Sequence, residues 1–133
     1  MNPVIIGDAT LYLGDCLENM KSMPDNSIDS IVTDPPYMIG AVSHGQADSG
    51  KVGSWGDAMN AARWYRDWYV MCRRVLKLDG AMWTCLNWRS LPVVSKAAAD
   101  AGWKIESVAV WDKEWIGPGG SRGLRPRYEL VAL

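Results

Sequence analysis

Asp34, Pro35, Pro36 and Tyr37 stand in a row behind a β-branched run, and their types suit one task, holding a planar exocyclic amine for attack on an electrophile. The Asp34 carboxylate and the Pro35 carbonyl can each accept a hydrogen bond from the two N–H groups of such an amine, leaving its lone pair free to point elsewhere. Successive prolines fix φ and exclude helix from the residues before them, so the direction of that carbonyl is set in advance. Tyr37 adds a flat face on which a base drawn out of a duplex can lie. Asp and Pro are also ordinary turn residues, so the tetrapeptide taken alone also reads as a plain strand-ending turn.

Other chemistry finds little support. The three cysteines, Cys16, Cys72 and Cys85, are odd in number and far apart, and His44 is the single histidine, so neither a disulfide framework nor a zinc site is expected. Cys85 and His44 lack the spacing of a nucleophile and its base. Residues 116–127 hold Arg122, Arg125 and Arg127 with no acidic residue; they read either as a grip on phosphates and base edges or as a solvated loop. Within them Gly117-Pro118-Gly119-Gly120 opens no helix and is rejected as a cofactor loop. Trp111 and Trp115 nearby offer stacking surfaces, with core packing the expected role for Trp111 on a strand. The formal net charge is −1, so any contact with nucleic acid must be local.

The elements that must position these residues follow from periodicity. Residues 9–15 alternate and stop at Gly14-Asp15, a short strand entering a turn; a brief helix is expected over 17–23, and 28–33 form a buried strand ending at Asp34. Residues 38–56 are small and polar, a loop expected to be mobile. Asp57 suits the N-cap of an amphipathic helix to residue 78, with Ala61, Trp64, Trp68, Met71, Cys72 and Val75 at three- and four-residue spacing. A strand over 81–86, a helix over 90–101 capped by Gly102, and strands over 104–111 and 128–133 complete the order. Strand–helix alternation on this scale predicts one α/β domain spanning 1–133, a sheet with helices on its faces. No apolar run approaches the roughly 20 residues of a membrane span and the N-terminus lacks a signal pattern, so a cytoplasmic protein without a membrane partner is expected.

These residues, in this order, resemble the DNA N6-adenine and N4-cytosine methyltransferases, in the group whose permuted motif order puts the catalytic tetrapeptide before the cofactor glycines. The likeness rests on Leu11-Tyr12-Leu13-Gly14-Asp15, on residues 23–37, on Trp55-Gly56-Asp57, on residues 74–80 and on Val110-Trp111-Asp112-Lys113. Family members more often have Pro-Gly-Gly where this chain has Leu78-Asp79-Gly80, in a turn with no catalytic role. The resemblance implies a partial Rossmann-like fold with a mixed sheet and helices on both faces. It implies methyl transfer from S-adenosylmethionine, without a metal, to the amine of a flipped base in double-stranded DNA. Asp34, Pro35, Pro36 and Tyr37 would hold that base, Asp15 and Asp34 would contact the cofactor, and Lys113, Arg122, Arg125 and Arg127 would contact DNA. An acid in the first position favours adenine over cytosine.

Only 33 residues precede Asp34, too few for the glycine-motif strands, which in the permuted order belong after Leu133. At roughly 30 residues per strand-helix-strand unit, about 60 residues are then expected beyond this chain. A homodimer partner or a C-terminal half would complete the domain, and residues 1–133 alone are expected to be inactive. Two rivals stand beside this reading. An enzyme acting on RNA or a protein glutamine amide normally has Asn first and its glycines upstream, which disagrees here. A non-catalytic remnant or DNA-binding accessory subunit fits the absent glycines but not the intact tetrapeptide.

Overall fold

The computed structural model describes residues 3–37, 58–114 and 127–133. Strands β1 (Val4–Ile6) and β2 (Ala9–Leu11) form an antiparallel hairpin. Helix α1 (Cys16–Lys21), strand β3 (Ile28–Thr33), helix α2 (Ala58–Val75), strand β4 (Leu76–Leu86), helix α3 (Leu91–Asp100) and strands β5 (Val108–Asp112) and β6 (Tyr128–Ala132) follow. Four strands make a mixed sheet in the order β3-β4-β6-β5, with β3 parallel to β4 and the other neighbours antiparallel.

The amphipathic stripe of α2 explains the core. Tyr65, Trp68, Tyr69, Cys72 and Val75 recur every three or four residues and are all buried, so they fall on one side of the helix. They meet Met82, Leu86, Leu130 and Ala132 from the sheet and Val94, Ala97 and Ala98 from α3 in one cluster, and Met20 of α1 joins it. The two alanines let α3 approach α2 closely, and Trp103 Nε1 donates to the Tyr69 carbonyl at 2.9 Å to fix the segment after α3. Gly102, at φ +79, supplies the left-handed residue that ends that helix, as expected. Because the three helices share one core, they cover one face of the sheet. Its other face presents Val32 and Trp83, 78% and 40% exposed.

Several boundaries differ from expectation. The alternating segment 9–15 yields only the short β2, which pairs with an unanticipated β1 across Gly7-Asp8, a hairpin turn with Gly7 at φ +58. Helix α2 stops at Val75, three residues early. The Arg74 and Val75 carbonyls accept the Asn26 and Ser27 N–H groups at 3.0 and 2.8 Å, so the turn before β3 satisfies carbonyls that a longer helix would have used. Arg74 secures the same junction, its guanidinium donating to the Met20 and Met23 carbonyls and to Asp25. The chain then runs directly into β4, where the six residues from Leu76 to Ala81 face the three from Ile28 to Ser30 in β3. Gly80 makes this bulge possible, since a Cβ there would lie 2.8 Å from the Asp29 carbonyl oxygen and from the Leu76 side chain. Strand β5 begins at Val108, not 104. The Asp57 cap and the 38–56 loop lie outside the described residues.

Candidate active site

Strand β3 delivers Asp34, Pro35, Pro36 and Tyr37 at its carboxyl end, beside its parallel neighbour β4, where α/β sheets place ligands. Pro35 is buried, Tyr37 half-buried, and Asp34 and Pro36 exposed. Among the described residues the turn is held from both the helix layer and the sheet, and within it the Asp34 carboxylate lies against the Tyr37 hydroxyl. From the helix layer, the Tyr65 hydroxyl donates to the Pro36 carbonyl. From the sheet, Glu129 Oε2 accepts the Tyr37 hydroxyl at 3.0 Å, and Glu129 Oε1 is ion-paired with the Lys113 ammonium. Among the described residues nothing donates to the Pro35 carbonyl. Within the described residues, then, the carbonyl expected to meet the amine has no partner while its neighbour is engaged.

Charge at the site follows from these neighbours. Burial, reinforced by the Asp34 and Glu129 carboxylates, pushes the Tyr37 phenol far above its ordinary value, so it stays a proton donor. Burial also raises Tyr65 to about 12, with Tyr69 and Asp34 adding to it. The bond from Lys113 holds Glu129 below the usual carboxylate range; burial opposes it, and the Tyr37 hydroxyl assists. Cys85, on the outward face of β4, is raised by burial and then by Asp34 and Glu129, which disfavours a thiolate nucleophile.

The other sequence-derived residues separate. Asp15 is exposed and caps α1, its Oδ1 accepting the Leu17 and Glu18 N–H groups at 2.8 and 3.2 Å. No described group donates to its second oxygen, so a cap and a ligand contact are compatible here. Lys113 is engaged on Glu129, and Arg127 forks onto Asp112, with Nε to Oδ1 at 2.9 Å. Both members of the second pair are about half exposed, which leaves the guanidinium able to exchange partners. Arg122 and Arg125 lie outside the described residues, as does Trp115. No group of three or more His, Cys, Asp or Glu side chains that could hold a metal occurs among the described residues, and no described helix is long and apolar enough to cross a membrane.

Tyr65 and Glu129 are the positions that sequence reading misses. Tyr65 lies four residues after Ala61 and three before Trp68, so the helical stripe marks it as core, and only its hydroxyl hints at more. Glu129 interrupts an apolar strand. Its partner Lys113 becomes visible once β5 and β6 are paired, with Trp111 opposite Glu129 and Lys113 diagonal to it.

Comparison with known proteins gives these contacts a context. A model of the DNA methylase family, of the N6/N4 kind, matches residues 28–133. Type II methyltransferase M2.MboI of Moraxella bovis is 28% identical over 110 residues, covering 77% of this chain and 40% of that protein. Type II methyltransferase M.HpaI of Haemophilus parainfluenzae is 29% identical over 130 residues, covering 95% and 38%. In three dimensions the chain is similar to a putative DNA modification methylase of Thermus thermophilus complexed with S-adenosyl-L-methionine, with TM-score 0.67, 16% identity, and coverage of 90% of this chain and 52% of the other. It is similar as well to the cytosine-N4-specific PvuII DNA methyltransferase, with TM-score 0.65, 16% identity, and coverage of 92% and 47%. The chain thus spans about half the length of these structures and 38–40% of the two sequence relatives. With the family's match covering four-fifths of its residues and the same sheet and helix arrangement in solved methylases, the chain belongs to the DNA methylase family.

Proposed function

We propose that the intact protein transfers a methyl group from S-adenosylmethionine to the exocyclic amine of a base flipped out of double-stranded DNA, with adenine N6 as the target. The observation that carries this reading is the turn after β3. Its Asp34 carboxylate is exposed, its Pro35 carbonyl takes no donor among the described residues, and its Tyr37 ring is tethered at the hydroxyl. Two acceptors and a ring suit an amine and the base bearing it, and direct transfer needs orientation more than covalent chemistry. Asp34 and the Pro35 carbonyl accept the two N–H groups, Pro36 stiffens the turn, and Tyr37 stacks on the base. The sulfonium of the cofactor supplies the methyl group. Asp34 also faces the cofactor, and Asp15 contacts its adenine with the oxygen that takes no donor among the described residues. Arg122, Arg125 and Arg127 contact the DNA. Cytosine N4 is the alternative target; the acid at the first position of the turn favours adenine.

The test is chromatography with mass detection of digested DNA from cells expressing the intact protein. N6-methyladenine is expected, and its loss in Asp34→Ala; N4-methylcytosine would reassign the base, and unmethylated DNA would reject the reading.

A further inference from the structure

Glu129 reaches the turn after β3 from the far side of β4, 92 positions away in sequence. Its two oxygens have different partners, Oε2 the Tyr37 hydroxyl and Oε1 the Lys113 ammonium. The Lys113 and Glu129 side chains are only 28% and 20% exposed, so the pair is shielded more than a surface ion pair. We infer that Glu129, itself held by Lys113, is a positioning residue that fixes the plane of the Tyr37 ring against the target base, an inference that rests on the methyl-transfer reading above.

A tyrosine at the end of a Pro-Pro turn keeps two side-chain torsions, and a ring that is to stack on an extruded base needs both of them set before the base arrives. Anchoring the far tip of the ring does this, because the hydroxyl is the atom that moves most when either torsion changes. A carboxylate is the stronger anchor, since hydrogen bonds to an ionised acceptor are about twice as strong as neutral ones. Lys113 maintains that ionisation. The charged and titratable groups near the anchor are Lys113, Tyr37, Asp34 and Cys85, and of these only Lys113 favours the carboxylate by its charge. This makes Lys113 a support for the turn rather than a phosphate contact.

The experiment is a double-mutant cycle on the intact protein, with single-turnover methyl transfer and KM for a duplex carrying the target site. Glu129→Ala and Tyr37→Phe are each expected to lower the transfer rate about tenfold or more with KM changed less than about threefold, because a misaligned ring disturbs the reacting geometry and not the backbone grip on DNA. The double variant should be no slower than either single one. Glu129→Gln, which keeps an acceptor oxygen, should recover most of the rate. Losses that multiply, or a Glu129→Ala protein that merely melts earlier and transfers at the wild-type rate when folded, would overturn the inference while leaving the methyl-transfer reading standing. A wild-type protein that methylates no DNA removes both.

Discussion

Replacing Tyr65 with phenylalanine removes one oxygen from a side chain with 0% exposure and tests how firmly the turn is held. The ring remains, so no cavity opens and the transfer term is untouched. What changes is the Pro36 carbonyl, which loses the hydroxyl it accepts from α2. Pro36 is itself exposed, so the carbonyl can turn to water and the loss is that of an ordinary hydrogen bond, about 0.5–1.5 kcal/mol. For a folded unit of this size, each kcal/mol lowers Tm by about 4 °C, so a fall of about 2–6 °C is expected in calorimetry or circular dichroism. The same loss should loosen the turn that carries Asp34 and Pro35, and methyl transfer by the intact protein should slow about tenfold, equivalent to about 1.4 kcal/mol of barrier. Tyr65→Ala, which empties the site, should cost about 3–5 kcal/mol and serves as the packing reference. A Tyr65→Phe protein that melts within about 1 °C of wild type and turns over at the same rate would refute the idea that this hydroxyl anchors the turn.

Other outcomes follow from the same packing. Arg74→Lys gives up the fork that reaches two carbonyls and Asp25 and should cost about 1.5–3 kcal/mol in urea unfolding; Asp25→Ala, removing a carboxylate 66% exposed, should cost under about 1 kcal/mol. Gly80→Ala sets a Cβ 2.8 Å from backbone and should destabilise by about 1–3 kcal/mol, read in the same denaturation curves. The folded pKa of Glu129 lies below its unfolded value, so its contribution is complete above the ordinary value of 4.5 and is lost as pH falls through the lowered value; acid titration of Glu129→Gln should show a shallower decline. Cys72, 2% exposed with its thiol pushed up to about 12, should resist a disulfide reagent at about pH 8 in the native protein while the exposed Cys16 reacts.

How much of this is legible in the sequence depends on the range over which each feature is determined. The turn after β3, the α2 stripe and the Gly102 cap are local patterns, and reading along the chain finds them. The end of α2 is not local. Nothing within 74–80 says that Asn26 and Ser27 will take its last carbonyls, so helical periodicity overruns by a turn. The Val4-Ile5-Ile6 strand escapes notice because three exposed apolar residues carry no alternation. At the site, Asp34 and Tyr37 are identified by type, whereas the bond from Tyr37 to Glu129 joins segments that only the sheet order brings together. Asp15 shows the converse: its place in the sequence suggests a ligand contact, and its first use in the fold is to cap α1.

The division of hydrogen bonds around the turn has a consequence for catalysis by orientation. A site that holds an amine must keep its acceptors unsatisfied until substrate binds, yet a short segment with unsatisfied polar groups tends to find partners for them in its own chain. Here that tendency is met at the neighbouring atoms. Tyr65 takes the Pro36 carbonyl, and Glu129 takes the Tyr37 hydroxyl with Asp34 beside it, so the backbone after Pro35 is fixed on two sides. Two prolines, which bring no N–H of their own, remove the local backbone donors that would otherwise close on Asp34 or the Pro35 carbonyl. Anchors on both sides thus set the direction of the turn, and a variant that loosens either one should cost rate even though it leaves Asp34 and Pro35 in place.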